Sequence, residues 1–210
     1  MIQVNFDVKD VKLFIKDLEK GMKKATQHAM NEALTAAHKE GGKIMKKERR
    51  MKLSGTDRNS YASLTEKVKY RTRTPEFGTA GIRSSTKSRS FIHLVTSDKT
   101  PENQRGKTLK QRRKIRVRVS QGGPVISDEK FFIAKTKSKS GKDNFHVFKR
   151  MNNEEGKEVM KKQAAPGVHE TLSQDNHQKK MRTEAEIAFN NRHEKMFEKY
   201  YEKAVIKHSD

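Results

Sequence analysis

The feature that most constrains the fold is a long series of apolar residues spaced three and four positions apart. Residues at that spacing share one face of an α-helix. The series comprises Val11, Phe14, Leu18, Met22, Ala25, Ala29, Ala33, Ala36 or Ala37, and Ile44. Its middle is alanine, which has the highest helix propensity and leaves room for another element to approach closely. The sequence therefore predicts one long helix from about Asp10, with Gly21 and the pair Gly41-Gly42 as points where it could bend.

Strict alternation of apolar and polar residues predicts short strands elsewhere. Ile2, Val4, Phe6 and Val8 alternate with polar residues, which favours an N-terminal strand. Further strand-like stretches lie at 68–70, 81–84, 90–95, 115–119, 131–134 and 145–148. The last two are aromatic and flank a polar loop, 136–144, which is typical of a long hairpin.

The C-terminal region carries a second helix signal. Thr183 and Glu186 have the spacing of a capping box, which predicts a helix over 183–207. Its apolar stripe is Phe189, Met196, Phe197, Tyr200, Tyr201 and Ala204. We therefore expect an α+β fold: an N-terminal strand and long helix, an antiparallel β-sheet with basic insertion loops, and a C-terminal helix. We expect a single domain over 1–210, with a basic insertion at about 54–114 and a polar linker at about 151–182.

Composition limits how such a chain can be stabilised. Of 210 residues, 48 are Lys or Arg and 26 are Asp or Glu, a net charge of +22. Hydrophobic residues make up 31%, and even with the 12 glycines the apolar share stays below the roughly 45–50% of average domains. Such a chain is hard to fold alone, so we expect it to need a polyanion or a partner surface.

The sequence has neither a membrane-spanning apolar run nor a signal-peptide profile, so we expect no membrane association.

The sequence offers no convincing catalytic or metal site. It has no cysteine, which excludes disulfides, thiol catalysis and Cys-ligated zinc. The eight histidines lack metal-ligand spacing, and Gly122-Gly123-Pro124 lacks the Lys and Ser/Thr of a phosphate-binding loop. We therefore expect no enzyme activity, catalytic residue, cofactor or metal.

Basic residues are the stronger functional signal. No acid occurs between Asn103 and Ser127, and the cations there are Arg105, Lys107, Lys110, Arg112, Arg113, Lys114, Arg116 and Arg118. The hairpin loop and its edges add Lys137, Lys139 and Lys142. Such a set could contact DNA phosphates or the acidic face of a neighbouring protein. No recognition helix or RNA-binding motif accompanies it, so we expect no sequence-specific binding, and we expect the aromatic strands to be core rather than base-stacking platforms.

The order of these elements resembles a known family. It begins with the N-terminal strand and the Ala25-x-x-x-Ala29-Met30-Asn31-x-Ala33-x-x-Ala36 helix, and continues with the strand 114–119 and Phe131-Phe132-Ile133-Ala134-Lys135. A Ser-Gly turn leads to Phe145-His146-Val147-Phe148-Lys149-Arg150, and a final helix carries Phe189 and Met196-Phe197-Glu198-Lys199-Tyr200-Tyr201. In this order and spacing, over most of its length, the chain resembles the prophage minor tail protein Z family of tailed-phage tail-completion and neck proteins.

The resemblance implies a structural virion protein that completes the head-proximal end of the tail and supports head–tail joining. It implies a homo-oligomeric ring, for which we expect six subunits, with the tail terminator and head-completion proteins as neighbours, possible contact with genomic DNA in the channel, and assembly in the host cytoplasm. Candidate subunit-interface residues are Ala29, Ala33, Phe189, Phe197, Tyr200 and Tyr201. The alternative is a non-sequence-specific DNA-binding protein that acts in packaging or contacts the genome end.

Overall fold

A computed structural model describes residues 8–54, 60–72, 78–97, 99–100, 108–137 and 143–208. It confirms a mixed helix-and-sheet fold with a long N-terminal helix, small antiparallel sheets and a C-terminal helix. The helices are α1 (Val8–Arg49), α2 (Tyr61–Leu64), α3 (Val168–Leu172) and α4 (Asp175–Lys207), with short 3-10 helices at Phe91–Leu94 and Leu109–Gln111. The strands are β1 (Thr65–Thr72), β2 (Gly78–Ser84), β3 (Arg89–Ser90), β4 (Ile115–Arg118), β5 (Val125–Asp128), β6 (Phe131–Lys137), β7 (Asp143–Asn152), β8 (Glu158–Lys162) and β9 (Ala164–Ala165).

The chain divides into two compact units. The helical unit comprises Met1–Gly41, Glu66–Arg83 and Asp175–Asp210. The sheet unit comprises Gly42–Thr65 and Ser84–Gln174. Helix α1 contributes to both, because it runs without interruption through Gly21 and Gly41-Gly42, where the sequence predicted that it could bend.

The helical unit is built on the contact between α1 and α4. The Asp17 carboxylate lies 2.5 Å from Lys207 Nζ and 3.2 Å from His208 Nε2, so the start of α1 packs against the end of α4 and the two helices are antiparallel. Along α1, Ala25 and Ala29 are fully buried, as expected for the small-residue face. The strands β1 and β2 form a two-stranded sheet, and the Tyr70 N–H of β1 donates to Asn31 Oδ1 of α1.

The sheet unit contains the larger apolar core. Strands β6, β7 and β8 form an antiparallel sheet in that order, with Ile133 paired to Val147 and Phe148 paired to Lys162. Strands β4 and β5 form a separate hairpin with Val117 paired to Ile126. The core cluster consists of Leu94, Val95, Ile115, Val117, Phe131, Ile133, Val147 and Ala165. One face of β6–β7 and one face of β4 therefore supply most of the residues of this cluster.

The C-terminal end of α1 is tied to several parts of the sheet unit. Arg50 follows the helix with φ 50, the left-handed conformation that commonly ends helices. The Met51 N–H donates to Met45 O, and the Gln121 N–H donates to Lys47 O. The Arg89 guanidinium donates to Arg49 O, while the Arg49 side chain donates to the buried Thr171 hydroxyl, 3.0 Å away. The last carbonyls of a helix have no partner within the helix, and at this end of α1 three carbonyls accept hydrogen bonds from other parts of the chain.

Several predicted elements need correction. The predicted strand 90–95 is a two-residue strand followed by a 3-10 helix. The polar linker 151–182 contains the end of β7, strands β8 and β9, α3 and the start of α4. Thr183 is not an N-cap: α4 begins at Asp175, and the Thr183 hydroxyl donates to Lys179 O one turn back.

Other predicted elements lie close to their expected places. The strand-like stretch at 68–70 lies within β1, and β4 covers 115–118 with Ile115 and Val117 buried and Arg116 exposed. The aromatic hairpin is confirmed, with longer strands than predicted. The predicted N-terminal strand lies outside the described residues up to Asp7, and Val8, which we assigned to it, opens α1.

Candidate functional site

Positive charge is distributed unequally between the two units. The sheet unit has 28 Lys or Arg against 11 Asp or Glu, a net charge of +17. The helical unit has 20 against 15, a net charge of +5. The attraction for polyanions that the sequence predicts therefore belongs mainly to the sheet unit.

The predicted basic residues have different environments. Arg105, Lys107, Lys139 and Lys142 lie outside the described residues. Lys110 and Lys137 are exposed, and Arg112 is half-buried. Arg113 is also half-buried, and its guanidinium donates to the backbone carbonyl of Thr100. The structure thus separates exposed cations from at least one, Arg113, that holds a loop.

Strand β4 presents cations on the side opposite the core. Arg116 is exposed and Arg118 is half-buried, and the two alternate along the strand with the buried Ile115 and Val117. Lys114, just before the strand, lies 3.2 Å from Glu129. Arg116 is therefore the member of this set best placed to meet an external anion.

Several cationic side chains of the β6–β7–β8 sheet form ion pairs with carboxylates. Lys135 pairs with Asp143 at 2.6 Å, Lys149 with Asp128 at 2.7 Å, and Arg150 with Glu158 at 2.7 Å. The Lys149 ammonium is the main cause that lowers the pKa of the Asp128 carboxyl, followed by a hydrogen bond from the Lys130 N–H. These pairs partly neutralise the sheet, so its surface is a weaker anion attractor than its lysine content indicates.

The aromatic strands contribute to both faces of this sheet. Phe131 is buried in the core, whereas Phe132 and Phe148 are half-buried neighbours on the opposite face, with ring centroids 5.8 Å apart. The Arg150 guanidinium lies 5.0 Å from the Phe132 centroid, within cation–π range. The expectation of core packing holds for Phe131; Phe132 and Phe148 instead contact each other and a cation.

A basic cleft beside the C-terminal end of α1 was missed by the sequence analysis. It has a volume of about 590 Å³, and its cationic lining residues are Lys46, Arg50 and Lys52. The signal was present in the run Lys46-Lys47-Glu48-Arg49-Arg50-Met51-Lys52. The sequence could not show which of these cations face one cleft, because Arg49 turns inward to Thr171 and the chain reverses at Arg50.

The predicted subunit-interface residues fall into two groups. Ala29 and Ala33 are buried within a single chain, so they pack inside the helical unit and are removed from the candidate interface. Phe189, Phe197 and Tyr200 are half-buried, and Tyr201 is exposed. Phe189, His193, Phe197 and Tyr201 stack successively along α4, with centroid separations of 5.4, 6.5 and 6.2 Å.

One end of the helical unit exposes large apolar side chains. At the start of α1, Leu13 is 53% and Ile15 is 49% exposed. At the end of α4, which lies against the start of α1, Ile206 is 68% exposed and Val205 is also exposed. We call this group, together with Val11, the apolar end. The predicted stripes omitted Leu13, Ile15, Val205 and Ile206, and they placed Val11 and Met22 on the buried face, although both are exposed. Periodicity identifies one face of a helix, but it does not show how much of that face another element covers.

The described part of the chain contains no group of three or more His, Asp or Glu side chains placed to hold a metal ion. Neither long helix, within the residues that can be described, is apolar enough to cross a bilayer. Comparison of the chain with family models, curated proteins and solved structures gave no match.

Proposed function

We propose that this chain is a structural subunit of a tailed-bacteriophage particle that completes the head-proximal end of the tail as a homo-oligomeric ring. The proposal rests on the ordered motifs that resemble the minor tail protein Z family. The observation that carries the assembly role is the apolar end of the helical unit. A subunit interface would bury side chains such as Leu13 and Ile206, which one chain leaves more than half exposed.

The size of this effect supports association. Complete burial of a fully exposed Leu or Ile side chain contributes about 1.5–3 kcal/mol. Leu13 and Ile206 are 53% and 68% exposed, so an interface would gain roughly half to two-thirds of that from each, before the costs of association are subtracted. Surfaces that combine apolar contact residues with a polar rim are typical of subunit interfaces. Lys12, Lys16 and Lys203 are exposed around the apolar end and would form such a rim.

The charge distribution supports a second candidate function, non-sequence-specific DNA binding. A unit with a net charge of +17 attracts phosphates without base recognition. In a tail-completion ring, the same unit would face the genome or an acidic neighbour. The two candidate functions are compatible, and they differ in whether DNA binding is the main role or accompanies assembly.

The experiment that tests the assembly proposal uses phage particles. The gene is inactivated in the genome that encodes the chain, and particles are examined by electron microscopy. We expect filled heads and tails that remain unjoined, and restoration of joined particles by the wild-type chain supplied in trans. Joined, infectious particles without the chain would reject tail completion.

A matched pair of variants tests the apolar end itself. Leu13→Ser with Ile206→Ser removes two exposed apolar side chains, and Lys12→Ser with Lys203→Ser removes two exposed polar neighbours from the same helices. Light scattering of the purified chains should show an oligomer for wild type and for the lysine variant, and a monomer for the apolar variant. An oligomer in all three would show that the apolar end is not the interface.

A further inference from the structure

We propose that the cleft at the C-terminal end of α1 binds phosphate groups of the DNA backbone. This inference rests on the DNA contact considered under the proposed function and assigns it to a specific site. The cleft is lined by the cations Lys46, Arg50 and Lys52, with Ser54 and Gln121 as polar neighbours. Met51 and Leu53 supply the apolar part of its wall.

The lining suits an anion because it provides donors and positive charge. Lysine and arginine are donors without acceptor capacity, and serine and glutamine can also donate. No carboxylate is among the described lining residues. Lys46 and Lys52 also form no ion pair with any carboxylate in the described ranges, in contrast to Lys135, Lys149 and Arg150 of the sheet. The cleft therefore retains positive charge that the sheet surface has partly neutralised.

Arg50 is held in place and still has donors to offer. Its Nη1 lies 3.4 Å from Leu94 O and 3.3 Å from Arg118 O. A guanidinium has five N–H donors, so Nε and Nη2 remain for a ligand. A side chain fixed by the protein loses less conformational entropy when it binds than a mobile one.

The end of a helix normally disfavours anions, because its carbonyls carry partial negative charge. Here three carbonyls near the end of α1 accept hydrogen bonds from other parts of the chain. Met45 O accepts from the Met51 N–H, Lys47 O accepts from the Gln121 N–H, and Arg49 O accepts from the Arg89 guanidinium. Three cationic side chains outweigh the remaining partial charge, since the macrodipole amounts to about half an elementary charge.

The lining favours a nucleic-acid backbone over a free nucleotide. No aromatic side chain lines the cleft in the described part of the chain, so a base has no ring on which to stack. Separate point charges along an open cleft suit successive phosphates, and such contacts position DNA without reading its sequence. We therefore expect binding that is strongly dependent on salt and indifferent to sequence.

The test measures binding of the full chain to a fluorescent duplex of about 30 base pairs, at salt concentrations from about 50 to 200 mM. The test variant is Lys46→Gln with Lys52→Gln. The control is Lys23→Gln with Lys24→Gln, which removes the same charge from exposed positions of α1 in the helical unit. Thermal denaturation of each variant verifies that it is folded.

Log K decreases as log salt increases, and loss of two phosphate contacts should make this negative slope shallower by about 1.8. Binding at about 100 mM salt should weaken by roughly tenfold or more. The control should keep a slope close to that of wild type. An unchanged slope in the test variant, an equal loss in the control, or wild-type binding to polyglutamate but not to duplex would each overturn the proposal. None of these results affects the head–tail joining experiment, so failure of this site and failure of the proposed function can be distinguished.

Discussion

Gly21 of α1 lies directly against Tyr200 of α4: a methyl group at position 21 would come within 2.9 Å of Tyr200 Cβ. Carbon atoms without a bond between them do not normally approach so closely, so the two helices touch here at a point that has room only for hydrogen. The glycine that the sequence analysis interpreted as a place to bend is thus a place of close packing. Its low helix propensity is offset by the contact it allows.

Substitution of Gly21 by Ala should therefore destabilise the chain. At an exposed helix position the same change would stabilise by about 1 kcal/mol, but the contact with Tyr200 should reverse the sign, at a net cost of about 1–3 kcal/mol. The free energy of unfolding from urea titration measures this. A more stable Gly21→Ala variant would show that α1 and α4 are further apart than the structure has them.

Glycine and alanine at position 50 should have different effects on the stability of the chain. Arg50 has φ 50, which costs an L-residue about 1–2 kcal/mol and glycine almost nothing. Arg50→Ala keeps this cost and loses the bonds to Leu94 O and Arg118 O, so it should lower stability by about 1–2 kcal/mol. Arg50→Gly should be about 1 kcal/mol more stable than Arg50→Ala. Equal unfolding free energies for the two variants would argue against a left-handed residue at this helix end.

Two valines in one hairpin offer a test of the core. Val117 of β4 is fully buried, whereas Val125 of β5 is 40% exposed. Val117→Ala should cost about 2–3 kcal/mol, from lost burial and the cavity left behind. Val125→Ala removes the same atoms and should cost less than about 1 kcal/mol. Denaturant unfolding of both variants measures the difference, and similar losses would mean that the core does not centre on β4.

His146 should make the stability dependent on pH. Ser90 Oγ lies 3.2 Å from its Nδ1, and Lys162 Nζ lies 3.3 Å from its Nε2. An ammonium can only donate, so Nε2 accepts and the neutral ring donates from Nδ1 to the serine. Burial, followed by the charge of Lys162, lowers the pKa of His146 below its ordinary value of 6.5.

Because the pKa of His146 is lower in the folded chain than in the unfolded chain, the unfolded chain binds a proton at this histidine more readily. Stability should therefore be constant above pH 6.5 and decrease as the pH falls below it, towards the folded pKa. The pKa of His38 is also lowered, by burial and by Lys67, so this histidine adds to the loss of stability in acid. Comparison of wild type with His146→Gln isolates the contribution of His146, because His38 is present in both proteins. Urea titrations at several pH values should show a shallower acid loss in the variant. The same slope in both proteins would contradict the assigned environment of His146.

Prediction from sequence succeeded where a residue pattern is compatible with only one type of secondary structure. The alternation through Ile115, Arg116 and Val117 predicted β4 and its buried face, because only a strand separates such residues cleanly. Thr183 and Glu186 matched a capping box by spacing alone, but a helix that starts at Asp175 places them in its interior. The predicted strand at 90–95 was wrong over most of its length, because a short apolar run suits either a strand or a helix: Arg89 and Ser90 pair with β9, and Phe91–Leu94 form a 3-10 helix.

The sequence by itself determined the long α1 helix, the aromatic hairpin, the excess of positive charge and the shortage of apolar residues, since these depend on local periodicity and composition. Only the tertiary structure decided that most of the charge belongs to the sheet unit, that carboxylates neutralise part of it, and that Lys46, Arg50 and Lys52 share a cleft. It also decided which apolar side chains are buried, since Ala29 and Ile206 both lie in long helices but Ala29 is fully buried and Ile206 is 68% exposed. Which apolar residues of a helix are buried depends on contacts between segments that are distant in the chain, such as Asp17 with Lys207. Local sequence patterns do not specify such contacts.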